Sequence, residues 1–440
     1  MRVGDYPALT GTMVVLLILA FTRLRPARRS IAHGNHCRPI FVQPLTTVIA
    51  ASREPAAIWV SEAEMKRLQL TESLIHDFYT TDFLTLATDE GLQDHLRKAI
   101  ARYGVGSCGP RGFFGTLTPH IILERELTAL LDQPALIYSS ASAVIPSALC
   151  VFCTDGDLLV SAYDASPEII RAIALVGSPV MQTECLPYLH FPGTTGKELK
   201  MRLESPDVIS ELQRGKEAFE AFLQTLPSVQ NSRWLVADSI WEGRLLHLPL
   251  LLELTEKYHL RVLLNDPYGL GALGSHGRGA PELWEDAGFS IFPSSFDLLC
   301  QSLEHSLASI GGVCSGAMHL IEQQRNQGLG YCFSASAPPG LCEAARYAIR
   351  QLDPLVEELH KKTAYLHSCL MSRGIPFQAC GGPLVMIPCE DAQLAQHELL
   401  RRQFLVGIGS ATLIRVTVTR GHGHEDLEAL TDVIAEVIGQ

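Results

Sequence analysis

Between Lys257 and Lys361 the chain contains no lysine, so this stretch has no primary amine able to form an imine with a carbonyl. His305, within Ser302-Leu-Glu-His-Ser-Leu-Ala-Ser-Ile-Gly-Gly312, can hydrogen-bond but cannot form that bond. It reads as a polar helix or loop residue rather than a catalytic one. Asp266 ends the apolar run from Arg261, a place where a carboxylate can serve a ligand or simply cap a turn. Cys108 lies between Ser107 and Gly109 in a glycine-dense loop, where small residues allow close backbone approach to a ligand or a partner. No neighbouring His or Lys would lower its pKa, so a packed side chain is favoured over a reactive thiol. Cys150-Val-Phe-Cys153 sits in an apolar run without a second pair, which suits core packing and not zinc or redox chemistry; no metal site is expected. Gly269-x-Gly271-x-x-Gly274 has dinucleotide spacing, yet Gly277 and Gly279 delay the next helix to Pro281, so it reads as a loop.

The elements that must position these groups alternate in type after Gly104. Short runs at Ala135–Tyr138, Asp157–Val160, Trp234–Ala237, Arg261–Leu264 and Ser290–Phe292 predict strands, with helical segments between them. This pattern implies an α/β domain with a mostly parallel sheet covered on both faces. Helical spacing is expected from Glu62 to Tyr103 and from Leu341 to Met371. Strands at Pro383–Pro388 and Thr412–Thr419 and a closing helix at Glu425–Ile438 then predict a smaller α+β domain. The expected divisions are a membrane anchor at 1–30, an arm and helical segment at 31–103, a large domain at 104–335 and a small one at 336–440.

Hydrophobic residues make up 47% and charged ones 19%, which argues for a folded chain. A net charge of −12 without clustered Lys or Arg in the body excludes nucleic acid as the expected partner. The twelve cysteines follow no tight framework and read as reduced thiols in a cytosol-facing body. Tyr6 to Leu24 is nearly all apolar; as a helix it spans ~28 Å, enough for one membrane crossing if Arg23 snorkels. Arg23, Arg25, Arg28 and Arg29 follow it, which places the body in the cytosol. A mitochondrial presequence is the alternative, because no Asp or Glu occurs between Asp5 and Glu54.

Several motifs together resemble the α-oxoamine synthase group of pyridoxal-phosphate (PLP) enzymes. They are Asp82-Phe-Leu-Thr-Leu86, Tyr103-Gly-Val-Gly-Ser-Cys-Gly-Pro-Arg-Gly-Phe-Phe-Gly-Thr116 and Leu264-Asn-Asp-Pro-Tyr-Gly-Leu-Gly-Ala-Leu-Gly274. Gly328-Leu-Gly-Tyr-Cys-Phe-Ser-Ala-Ser-Ala-Pro-Pro339 and Arg415-Val-Thr-Val-Thr419 extend the likeness to the C-terminus. The resemblance is strongest to the lysine-lacking first subunits of serine palmitoyltransferases. It implies the type I PLP-transferase fold, as in aspartate aminotransferase, with an N-terminal membrane helix.

By this resemblance His305 stands at the position of the Schiff-base lysine, so no catalytic residue is expected from this chain. Asp266 matches the pyridinium-binding carboxylate, Ser139 and Ser140 could donate to the phosphate, and Arg415 could hold a substrate carboxylate. Where relatives stack a histidine on the ring, this chain offers Asp164, and Gly269 replaces another histidine. Cys108, Gly109, Arg111 and Phe113 belong to a loop expected to complete a shared site. The implied partner is a lysine-bearing second subunit that holds most of the PLP. The pair would condense L-serine with a long-chain acyl-CoA to 3-ketosphinganine at the endoplasmic reticulum membrane. Two alternatives stay open: an autonomous PLP acyltransferase, and a catalytically dead membrane scaffold.

Overall fold

The computed structural model describes residues 75–438. The proposed anchor and most of the arm lie outside them; among the described residues no helix is long and apolar enough to cross a membrane.

Fifteen strands are described, in chain order β1 (His76–Phe78), β2 (Ala135–Tyr138), β3 (Leu158–Ala162), β4 (Val180–Thr183), β5 (Tyr188–Leu189), β6 (Arg233–Asp238), β7 (Ile240–Trp241), β8 (Arg244–Leu246), β9 (Leu260–Asp266), β10 (Leu298–Ser302), β11 (Gly312–Gly316), β12 (Gln378–Ala379), β13 (Leu384–Pro388), β14 (Phe404–Ser410) and β15 (Leu413–Thr417). Seven of them form one sheet, ordered β2-β11-β10-β9-β6-β3-β4, in which only β11 runs against its neighbours. The central strands are apolar without alternation because both faces are covered: every residue of β9 except Arg261 is buried. Trp234, Leu235, Leu263, Leu264 and Leu299 anchor this core, each side chain contributing roughly 1.5–3 kcal/mol by leaving water.

A second sheet, β1-β14-β15-β13-β12, packs under the helices Leu352–Ser372 and His424–Ile438. Its outermost strand comes from far upstream, with His76 opposite Phe404. Ahead of β2, the helix Glu90–Tyr103 starts where Asp89 accepts the Leu92 N–H (2.7 Å) and packs on the helix Pro339–Ile349. Of the expected helical stretch, only this part is helical among the described residues; residues 79–89 form turns.

Ser290–Phe292 is not a strand. Pro293 opens a tight 3-10 turn there, and the adjacent Leu298–Ser302 takes the sheet position instead. β11 and β14, with glycines at 312, 316, 407 and 409, carry too little β-propensity to have been expected. The 269–279 run is a loop: Gly271, Gly274, Gly277 and Gly279 all have positive φ, and the helix Ala280–Asp286 begins only afterwards.

Candidate functional site

Asp266 emerges at the C-terminal end of β9, yet it presents no surface. Ser239 Oγ donates to one carboxyl oxygen; the Ala280 N–H (3.1 Å) and Gln301 Nε2 (2.9 Å) donate to the other. A Cβ on Gly269 would fall 2.0 Å from Oδ2, and one on Gly279 2.3 Å from it. The glycines at these positions therefore let two loop backbones close over the carboxyl. Burial pushes its pKa up, opposed by these three donors. Asp266 thus ties the 267–280 loop to the sheet, with both oxygens committed inside the protein.

His305 sits on the hairpin between β10 and β11. Its Nδ1 lies 2.8 Å from Thr81 Oγ1, and its ring packs 4.8 Å from Tyr268 and 6.0 Å from Phe83. Phe83 N–H in turn donates to the His305 carbonyl (2.8 Å). Burial, then the charge of Arg415, lowers the imidazole pKa to about 4, so the ring is neutral at physiological pH. His305 is thus a polar loop residue whose side chain also joins two distant segments.

Arg415 projects from β15 beside Gly407, where a Cβ would meet its Nε at 2.9 Å. Its guanidinium lies over the Tyr79 ring (5.3 Å), with Nη2 3.4 Å from the Tyr79 carbonyl. Nε is buried without an acceptor, and no carboxylate stands within ion-pair distance among the described residues. Among the described residues Arg415 is thus a cation without a counter-ion, and its charge adds to the burial that lowers the His305 pKa.

Ser139 lines a cavity of about 10 Å³, room for one water, together with Arg111, Tyr138 and Tyr331. Ser140 Oγ pairs with Ser142 Oγ at 2.8 Å. Two nearby backbone donors are engaged: Glu304 Oε1 accepts from the N–H groups of Ala141 and Gly311, each at 3.3 Å. An incoming phosphate would meet this carboxylate, whose charge repels it.

The glycine-rich loop divides its residues between inside and outside. Ser336 N–H and Oγ both donate to the Gly109 carbonyl (3.0 Å each), and Pro110 pairs with Ala335. Cys108 is exposed with φ of 56°. Arg111, expected at a shared surface, instead turns inward: it is buried against Glu124 (2.9 Å), which also holds Arg325 (3.2 Å) and the Ile137 N–H (3.2 Å). Phe113 and Phe114 point outward, 69% and 91% exposed, and Phe333 on the tethered segment is 75% exposed. Asp164 is also exposed, 3.4 Å from Arg244 beside a cavity of about 250 Å³.

Glu304, Thr81 and Phe333 were not singled out by sequence reasoning. Their only signal was proximity to the motifs, since Thr81 immediately precedes Asp82 and Glu304 precedes His305.

PLP requires an imine-forming amine, a carboxylate open to its ring nitrogen, a stacking group and phosphate donors. This chain has no amine at position 305, its Asp266 is enclosed, Asp164 pairs with Arg244, and the Glu304 carboxylate takes two N–H donors beside Ser140. Its residues do not fit the coenzyme.

The fold is that of the PLP-dependent aminotransferase-like proteins. Residues 219–434 match the family model for aminotransferase class I and II. Two solved structures agree: a serine palmitoyltransferase (SPT) determined with PLP, at a TM-score of 0.69 and 18% identity over 82% of this chain and 87% of that one, and the Sphingomonas wittichii serine palmitoyltransferase, at 0.68 and 19% over the same shares. The chain is also similar in sequence to named proteins. It is 26% identical to long chain base biosynthesis protein 1 of Arabidopsis thaliana over 97% of this chain and 91% of that protein. It is 28% identical to serine palmitoyltransferase 1 of Dictyostelium discoideum over 76% of this chain, but spans only 65% of that protein.

Proposed function

We propose that this chain is the lysine-lacking subunit of a serine palmitoyltransferase, inactive alone and paired with a lysine-bearing subunit of the same fold. The complex condenses L-serine with a long-chain acyl-CoA to 3-ketosphinganine, and its PLP is held mainly by the partner. The observation that carries this reading is His305, a neutral, packed imidazole in place of a reactive amine. The Glu304 carboxylate beside Ser140 supports it independently. Phe113, Phe114 and Phe333 supply apolar surface for the partner, and Arg415 supplies an uncompensated cation for a carboxylate. Residues 6–24 would hold the complex on the endoplasmic reticulum membrane with the body in the cytosol.

Co-expression with a lysine-bearing homologue tests the proposal. The expected result is co-purification and serine-dependent condensation by the pair, with neither chain active alone. Full activity of the homologue without this chain would overturn it.

A further inference from the structure

Cys300 and Cys314 stand opposite each other on β10 and β11, with their sulfurs 3.8 Å apart. Both are buried free thiols. The backbone defines what kind of cross-strand pair they make. Leu303 N–H donates to the Gly311 carbonyl (2.9 Å) at the hairpin mouth. Hydrogen-bonded and unbonded pairs alternate along antiparallel strands, so Gln301 with Val313 is bonded and Cys300 with Cys314 is not. The far side of β11 agrees: Gly316 N–H donates to the Pro134 carbonyl (3.0 Å), so the backbone groups of Cys314 turn towards β2. In an unbonded pair the Cα atoms lie about 4.5 Å apart, within the roughly 4.4–6.8 Å that a disulfide spans. Small side-chain rotations would bring the sulfurs together.

The hairpin leaving this pair carries Glu304 and His305, the two residues that fill the site. We propose that Cys300 and Cys314 are a modification site, forming a reversible disulfide that staples the base of this hairpin when a peroxide reaches them. One thiol sulfur gives two electrons to the O–O bond, yielding a sulfenic acid and water. The second sulfur then displaces the hydroxyl, which leaves as water with the second thiol's proton. Two thiols and one peroxide thus become one disulfide and two waters, and a small dithiol reverses the change.

The neighbouring Cys314 sulfur and burial push the Cys300 thiol well up, and Gln324 covers Cys314 at 3.4 Å. Oxidation is therefore slow at neutral pH and faster as pH rises. Cys342 and Cys380 are equally buried, with thiols pushed up to about 12, and neither has a sulfur beside it; they serve as internal references.

The full chain is treated with hydrogen peroxide, denatured in an alkylating reagent and digested with a glutamate-specific protease, which cuts at Glu304 between the two cysteines. Mass spectrometry is expected to find the Cys300 and Cys314 peptides joined, two hydrogens lighter, separable by dithiothreitol, while Cys342 and Cys380 are alkylated. Tm rises by roughly 3–8 °C in the oxidised form, and Cys314→Ala abolishes the rise. If Cys314→Ala fails to fold, the cross-link in the unaltered chain decides. The proposal is overturned if both cysteines stay alkylated, or if they are lost to alkylation no faster than the reference thiols are.

Discussion

His305 Nδ1 and Thr81 Oγ1 meet at 2.8 Å across 224 residues of sequence. The contact joins the β10–β11 hairpin to the segment that follows β1. A hydrogen bond of this sort contributes about 0.5–1.5 kcal/mol, and the tilted packing on Tyr268 adds apolar contact. His305→Lys would place an ammonium group in that enclosed space, near Arg415. Denaturant unfolding is expected to show a loss of about 2–4 kcal/mol. Absorbance with added PLP should show no aldimine band.

The buried histidines make stability depend on pH. His367 is buried against Phe377 (5.1 Å), and burial lowers its pKa to about 4. The groups facing it are Glu198 and His190, with the Pro192 carbonyl. Its folded pKa lies below the unfolded value of about 6.5, so the unfolded chain takes the proton first as pH falls. The contribution is whole above pH 6.5 and is lost progressively towards pH 4, by about 1.4 kcal/mol per unit. Asp238 works the other way between about pH 6 and 4, because burial raises its folded pKa to about 6. A difference measurement removes that opposing share. Relative to the parent, His367→Phe should gain about 1.4 kcal/mol between pH 6 and pH 5 in urea melts; an unchanged difference would count against a neutral buried ring.

Asp266 accepts from three donors. Asp266→Asn keeps its oxygen on the Ala280 N–H and Gln301 Nε2 and turns its N–H₂ to the Ser239 hydroxyl, which then accepts, a loss of about 1 kcal/mol in unfolding free energy. Gly269→Ala drives a methyl group into the same carboxyl and is expected to cost at least as much. A coenzyme-binding Asp266 would instead tolerate Asn structurally and lose only ligand affinity.

Arg111 and Phe114 share a loop but should behave in opposite ways. Arg111→Met leaves Glu124 with a single cationic partner in a buried setting, and thermal unfolding should show a loss of about 3–5 kcal/mol. Phe114→Ser removes an exposed ring, so stability should stay within about 0.5 kcal/mol. Its effect should appear in partner binding, weakened by about 2 kcal/mol or more in a titration of the two subunits.

Much of this architecture was legible because β2, β3, β6 and β9 are continuous apolar runs between turn residues, a pattern that survives without homologues. β11 and β14 were not, since their glycines take strand conformation only because neighbours hold both edges. For the site, residue type announced the missing amine at His305, but not its packing. Whether Asp266 faces a ligand or a loop depends on the backbone of Ala280, fourteen residues away. Arg111 was misplaced for the same reason: its partner Glu124, and Arg325 that shares this carboxylate, come from two helices that meet only in the folded chain. Charge and hydropathy give no sign of such distant pairings.

The most direct measurement of the division of labour is borohydride reduction of the assembled pair, followed by peptide mapping of the reduced coenzyme adduct. The adduct is expected only on the partner's lysine, with the 302–312 segment of this chain unmodified. An adduct on any lysine of this chain, or serine-dependent turnover by this chain alone, would contradict the lysine-lacking role.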